Sequence, residues 1–317
     1  MGDGLPVAVM GVINVSPESF HAGSVRRLDD LLATAQAMVD AGAALIDVGA
    51  RSTAPYLPTE ITESEETARL VAAVELLAAK LAVPVSADTA RPGPARAALE
   101  AGARVINDVS TLRDPAVARL VASHAASLIL MAAPSVGEGR RGGAAGVRRP
   151  RARGADPLAR RLRSAAPAKV GRETGRRTPA APPRRPSPAP VVTIRKILAD
   201  GMRRARAAGI PQPRIVVDPG IGFFRGERLT WDEWDARLLS GLASLRSLAR
   251  PICVGVSRKS FIGAILERPE TSERLAGSLA ATAIAVLNGA AVIRTHDVLA
   301  TRDAVRVAER IRRVGAR

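Results

Sequence analysis

The run AAVIRTHDV, residues 290–298, starts as an apolar strand and ends in Arg294, His296 and Asp297. A strand covered on both faces reads as a near-continuous hydrophobic run, so these charges mark the point where it leaves the core. Seven further short β-branched runs bounded by turn residues share the pattern: 7–14 (VAVMGVIN), 45–50 (LIDVGA), 83–89 (VPVSADT), 104–110 (RVINDVS), 127–133 (SLILMAA), 214–220 (RIVVDPG) and 252–258 (ICVGVSR). Between them lie segments of helical period, including 28–42, 66–82 and 273–289, and the first and last of these run into a glycine suited to a C-cap. Eight alternations of strand and helix predict a (β/α)8 TIM barrel, with a doubly wound open sheet as the alternative.

Almost every run finishes in a polar or ionisable residue: Asn14, Asp47, Asp88, Asn107 with Asp108, Asp218, Ser257 to Lys259, then Arg294 and His296. In a barrel these ends meet on one rim, which is where such folds build their active sites. Singly, each could be a turn cap, and Asp47 and Asp108 are read that way. Cys253 and Met131 read as core, and His21 and His124 as incidental.

Composition excludes several classes. With 317 residues and 47% hydrophobic content the chain can fill a large core. Aromatics are 2%, which suits helices packed on a parallel sheet better than a sandwich. The lone Cys253 excludes an internal disulfide framework and a multi-thiolate zinc site, and points to a reducing, cytoplasmic setting. No apolar stretch reaches the roughly 18 residues of a membrane span, and the N-terminal segment lacks a basic leader, so no membrane partner is expected.

The net charge of +17 is concentrated. Residues 139–190 carry fifteen lysines and arginines against Asp156 and Glu173, a net of +13, which leaves only +4 for the rest. The stretch 134–190 is rich in Arg, Pro, Ala and Gly without periodicity, and is read as a disordered low-complexity insertion after the fifth strand. It interrupts a single barrel built from 1–133 and 191–317. A basic arm without interleaved aromatics or a base-reading motif is weak evidence for nucleic acid, which is not expected as a partner.

At the rim, Arg294 and His296 lie two apart and face one side, where they could hold a phosphate or diphosphate. Asn14, at the end of the neighbouring first strand, could add an amide oxygen to a Mg²⁺ riding on that anion. Asp88, Asn107 and Asp218 form an acceptor-rich set for a flat amino-pyrimidinone, and Lys259 adds a cation. Such a site could displace diphosphate from a carbon held between the two halves.

The segments MGVINVSPESF, LIDVGARST, VSADTARPG, VINDVS, VVDPGIGF, GVSRKSFIG and VIRTHDV, in this order, resemble the dihydropteroate synthase family over 7–133 and 191–298. The resemblance implies a homodimeric (β/α)8 transferase that condenses 6-hydroxymethyl-7,8-dihydropterin diphosphate with 4-aminobenzoate. It implies that Asn14 sits with Mg²⁺ and diphosphate, that Arg294 and His296 grip the diphosphate, and that Asp88, Asn107, Asp218 and Lys259 bind the pterin. Asp88, Lys259, Arg294 and His296 would be the catalytic set. Ser52, Thr53 and Ser260 would meet the arylamine, with loops around Ser16, Pro17, Ser52 and Thr53 closing over it. Two departures stand out: RSTAP places Ala54 where the family commonly has arginine, with Arg51 three residues earlier, and Glu18 replaces a common Asp. They resemble an archaeal-type branch with a different arylamine. Two other classes remain at this stage: a pterin-binding methyltransferase with a corrinoid partner, which would not need Arg294 and His296 as a clamp, and a non-catalytic paralogue with a polyanion-binding arm.

Overall fold

The computed structural model describes residues 5–15, 25–51, 61–134, 189–224 and 229–315. Eight strands alternate with helices: β1 (Ala8–Asn14), α1 (Val25–Asp40), β2 (Leu45–Gly49), α2 (Glu63–Lys80), β3 (Val85–Asp88), α3 (Pro92–Glu100), β4 (Val105–Asp108), α4 (Pro115–Ser123), β5 (Ser127–Met131), α5 (Pro190–Ala207), β6 (Ile215–Asp218), α6 (Trp231–Ser240), β7 (Cys253–Gly255), α7 (Ser260–Ile265), α8 (Leu275–Leu287), β8 (Val292–Thr295) and α9 (Val298–Gly315). The strands are parallel in the order β6-β5-β4-β3-β2-β1-β8-β7. The two ends of that order meet at a parallel bridge between Val217 and Ile252, where the Val217 amide donates to the Pro251 carbonyl at 2.9 Å. The sheet therefore closes into the expected barrel, and the open doubly wound alternative is excluded.

Side-chain alternation sorts the strands into two cores. Ile46, Val48, Ile106, Leu128, Leu130, Val217, Val254 and Ile293 face the helices in one large cluster. Met10, Leu45, Val105, Ile129, Cys253 and Val292 form a smaller cluster inside the barrel. Towards the strand ends the inward parity brings Asn14, Asp47, Asp88, Asn107, Asp218 and Arg294 to the barrel mouth. The floor is apolar and the mouth is polar.

Local chemistry explains the helix starts. Thr62 and Glu65 form a reciprocal capping box on α2, whose Leu70, Ala73, Val74 and Leu77 supply one buried stripe. Asp114 caps α4 through the Ala116 amide at 2.8 Å, and Pro115 follows at the first helical position. The helix expected over 273–289 starts at Leu275, because Thr271–Arg274 form a tighter 3-10 turn. The basic stretch 134–190 lies, apart from Pro134, Ala189 and Pro190, outside the described residues, and Pro190 opens α5. No described helix is long and apolar enough to cross a membrane.

Candidate active site

Asp47 is the centre of the mouth. Fully buried on β2, it accepts from Ser86 Oγ at 2.6 Å through one oxygen, and from Asn107 Nδ2 at 3.1 Å and Arg294 Nε at 2.7 Å through the other. The reading of Asp47 as a turn cap is thus corrected. It shares period-2 parity with Leu45 and Gly49, and that parity was the available signal. Asp108, of opposite parity, does cap its turn, accepting from the Ser110 and Leu112 amides at 2.9 and 2.7 Å.

Arg294 crosses the mouth and also donates from Nη2 to Asp88 Oδ2 at 2.8 Å. Burial works against its charge, but Asp47 and Asp88 outweigh that and hold the guanidinium above its ordinary pKa. Burial pushes the Asp88 carboxyl up to about 7, against the pull of Arg294. Its other oxygen, Oδ1, is buried and has no hydrogen-bond partner among the described residues. Asp218 is raised too, by burial, while the Gly220 amide donates to its Oδ1 at 2.7 Å. The Cys253 thiol, raised well above normal by burial, bonds to Asp218 from the floor. Asn14 Oδ1 and Asp88 Oδ2 border the space that Gly49 leaves by lacking a Cβ, 3.4 and 3.8 Å from where that atom would stand.

On the far side of the mouth, the turn after β6 carries Phe223, and Lys259 Nζ sits 4.8 Å from the centre of its ring. The Lys259 stem lies against Gly222, whose positive φ of 89° suits glycine. Gly222 donates its amide to the buried Asp235 on α6 at 2.9 Å, and Phe224 stacks on Trp234 at 5.5 Å. Sequence reasoning did not identify Asp235. Ser260 opens α7, as expected. His296 Nδ1 lies 3.1 Å from Ser257 Oγ. The residue is partly accessible, yet lost hydration and the charges of Arg294 and Arg258 bring the imidazole down to about 4. Arg258 instead faces Asp297, at 3.0 and 2.5 Å.

Arg51 comes within 3.4 Å of Glu66, a buried carboxylate that also takes Arg91 at 3.0 Å and the Thr89 hydroxyl at 2.6 Å. Nothing in the sequence pattern singled out Glu66. Ser16, Pro17, Glu18, Ser52, Thr53 and Ala54 lie outside the described residues. No group of three His, Cys, Asp or Glu side chains able to hold a metal occurs among the described residues.

Residues 10–296 match the family described as pterin binding enzyme. The chain is 32% identical over 302 residues to the dihydropteroate synthase of Escherichia coli (strain K12), covering 95% of this chain and 90% of that one. It is 35% identical over 316 residues to the dihydropteroate synthase of Mycobacterium leprae (strain TN), covering 95% and 92%. A Coxiella burnetii dihydropteroate synthase solved with pteroic acid superposes with a TM-score of 0.72 at 32% identity, covering 98% and 94%. A Xanthomonas albilineans dihydropteroate synthase solved with 4-aminobenzoic acid gives 0.74 at 31% identity, covering 96% and 93%.

Proposed function

This chain belongs to the pterin binding enzyme family, and on that premise we propose that it is a dihydropteroate synthase, a transferase that condenses 6-hydroxymethyl-7,8-dihydropterin diphosphate with 4-aminobenzoate. The observation that carries the assignment to the site is the buried Asp88 Oδ1, without a hydrogen-bond partner among the described residues, beside Asp47, Asn107 and Arg294. A buried acceptor without a donor is costly, and a ring N–H supplies the donor. The relatives named above are synthases, and the methyltransferase reading is set aside.

In this reading Asp88, Asn107 and Asp218 hold the amino-pyrimidinone edge, and Lys259, resting on Phe223, meets the ring near the reacting carbon. The arylamine nitrogen forms a bond to the exocyclic methylene. The methylene–oxygen bond breaks, diphosphate leaves with the electron pair, and the nitrogen sheds a proton. His296, Asn14 and Arg294 receive the departing charge. Ser52, Thr53 and Ser260 take the arylamine end.

Mg²⁺ is the proposed cofactor. Asn14 offers an amide oxygen at the diphosphate corner, which suits a small cation that keeps its waters and is bound chiefly by substrate phosphates. When bound there, it would neutralise charge on the leaving group. A homodimer is proposed as the assembly. Exposed Ile265 and Leu266, at the end of α7, and Ile284 on α8 line an apolar groove, which supports a covered face. We also place the protein in the cytoplasm, in keeping with its single buried free thiol.

The test is diphosphate release from the pterin substrate, with and without 4-aminobenzoate and Mg²⁺. Release that requires both supports the reading. Pterin binding without such release would overturn it.

A further inference from the structure

Three consecutive turns each bring an arginine to one stretch of rim: Arg51 after β2, Arg91 after β3 and Arg113 after β4. Together with Ser110 and Asp114 they line a cleft of about 710 Å³. Because these turns follow β2 to β4, the cleft lies across the barrel mouth from Lys259 and His296, which follow β7 and β8.

The negative charge near the cleft is already engaged: Asp108, which interacts electrostatically with Arg113, spends its oxygens capping its own turn. Arg51 and Arg91 share one oxygen of Glu66, which is buried behind them. Asp114 turns its Oδ1 to the Ala116 amide as a helix cap. To described residues the three guanidinium forks make three hydrogen bonds: Arg91 to Glu66 and to the Ile61 carbonyl, and Arg113 to the Pro134 carbonyl. Each fork has five N–H donors, and paired forks match phosphate or carboxylate oxygens. The buried Arg51 Nε is held by Glu66 at 3.4 Å as an ion pair but makes no hydrogen bond to a described residue.

We propose that this cleft is an oxyanion site outside the pterin pocket, taking a diphosphate or carboxylate group on Arg51, Arg91 and Arg113. Two sources supply that chemistry, and naming them rests on the proposed reaction, while the site does not: the released diphosphate and the carboxylate of the arylamine. Arg51 also pulls weakly against the burial that raises the Asp88 carboxyl, so an anion that offsets Arg51 would favour the protonated form.

The experiment is calorimetric titration of the full chain with sodium diphosphate and, separately, 4-aminobenzoate, using wild type, R113E, R51Q and H296A at low, constant ionic strength. Arg113 is on the surface with one bond to a carbonyl, so R113E should fold, and R113Q gives the same readout if it does not. The expected result is a diphosphate-binding event weakened about tenfold or more in R113E and R51Q but retained in H296A. If 4-aminobenzoate loses affinity in R113E instead, the carboxylate is the source. Unchanged titrations of both anions in R113E and R51Q would overturn the proposal. Pterin binding by the wild type, measured alongside by fluorescence quenching, reports on the proposed reaction separately: its absence would sink that reading and leave the anion result standing.

Discussion

Arg294 Nη2 lies 2.8 Å from Asp88 Oδ2, although β8 and β3 share no hydrogen-bonded ladder. The contact spans the barrel interior, and with Asp47 on the same guanidinium the pocket carries its own counter-ion. Removing one partner of a buried ion pair strands the others. R294A should therefore lower the unfolding free energy by about 3 kcal/mol, measured in denaturant, and reduce synthase activity by more than tenfold. R294K keeps the charge but not the fork, and should recover more stability than activity.

Asp88 offers a test in pH. Its folded value, about 7, is above the ordinary 3.8, so between those values the folded protein keeps a proton that the unfolded chain has released. That contribution to stability is complete below about pH 4 and is lost as pH rises through 7. D88N removes it. The stability of D88N relative to wild type should improve steadily from pH 4 to pH 7, while activity falls at least tenfold because an amide presents a donor where the proposed ring needs an acceptor. A flat difference across that range would argue against a buried, proton-holding Asp88.

His296 shifts the other way. Its imidazole is held near 4, below the ordinary 6.5, so the unfolded chain takes up a proton first and this residue's contribution to stability is lost as pH falls from 6.5 toward 4. Its ring resonances should titrate near 4 by NMR. Adding diphosphate should move the midpoint upward, because a bound anion favours the imidazolium. A midpoint near 6.5 that ignores diphosphate would remove His296 from the proposed clamp.

The Asp235 contact to Gly222 predicts a split effect. D235L keeps similar bulk without the acceptor, so the turn that carries Phe223 beneath Lys259 loses its anchor. The KM for the pterin substrate should rise about tenfold, that for the arylamine should change little, and the Gly222 amide should exchange faster with deuterium. D235N, which keeps an acceptor oxygen, should stay close to wild type.

Much of this was legible in the residues. The eight apolar runs and their polar ends led to the barrel, and Asp88, Asn107, Asp218, Arg294 and His296 stood out because a polar or ionisable group at the end of a buried strand is conspicuous. Asp47 did not, because it sits two residues before its strand ends and looks like any turn acid until parity is applied. Glu66 and Asp235 were invisible for a different reason. Each lies on a helix among other charged residues, and only tertiary packing turns it from a solvated acid into a buried acceptor. Arg51 could be noticed as unusual, but its pairing with Glu66, and the shared cleft with Arg91 and Arg113, depend on how three separate turns converge.

The closure of the barrel at Val217 and Ile252 has a mechanical meaning. Seven joints are full ladders, and the eighth is pinned beside Asp218 by a single bridge. A cylinder stitched this unevenly yields first along its weakest seam. Thermal breathing should therefore open the wall at β6 and β7, between Asp218 and the turn leading to Lys259, while the Asp47, Asp88 and Arg294 side stays rigid. An incoming ring would meet one firm jaw and one compliant jaw.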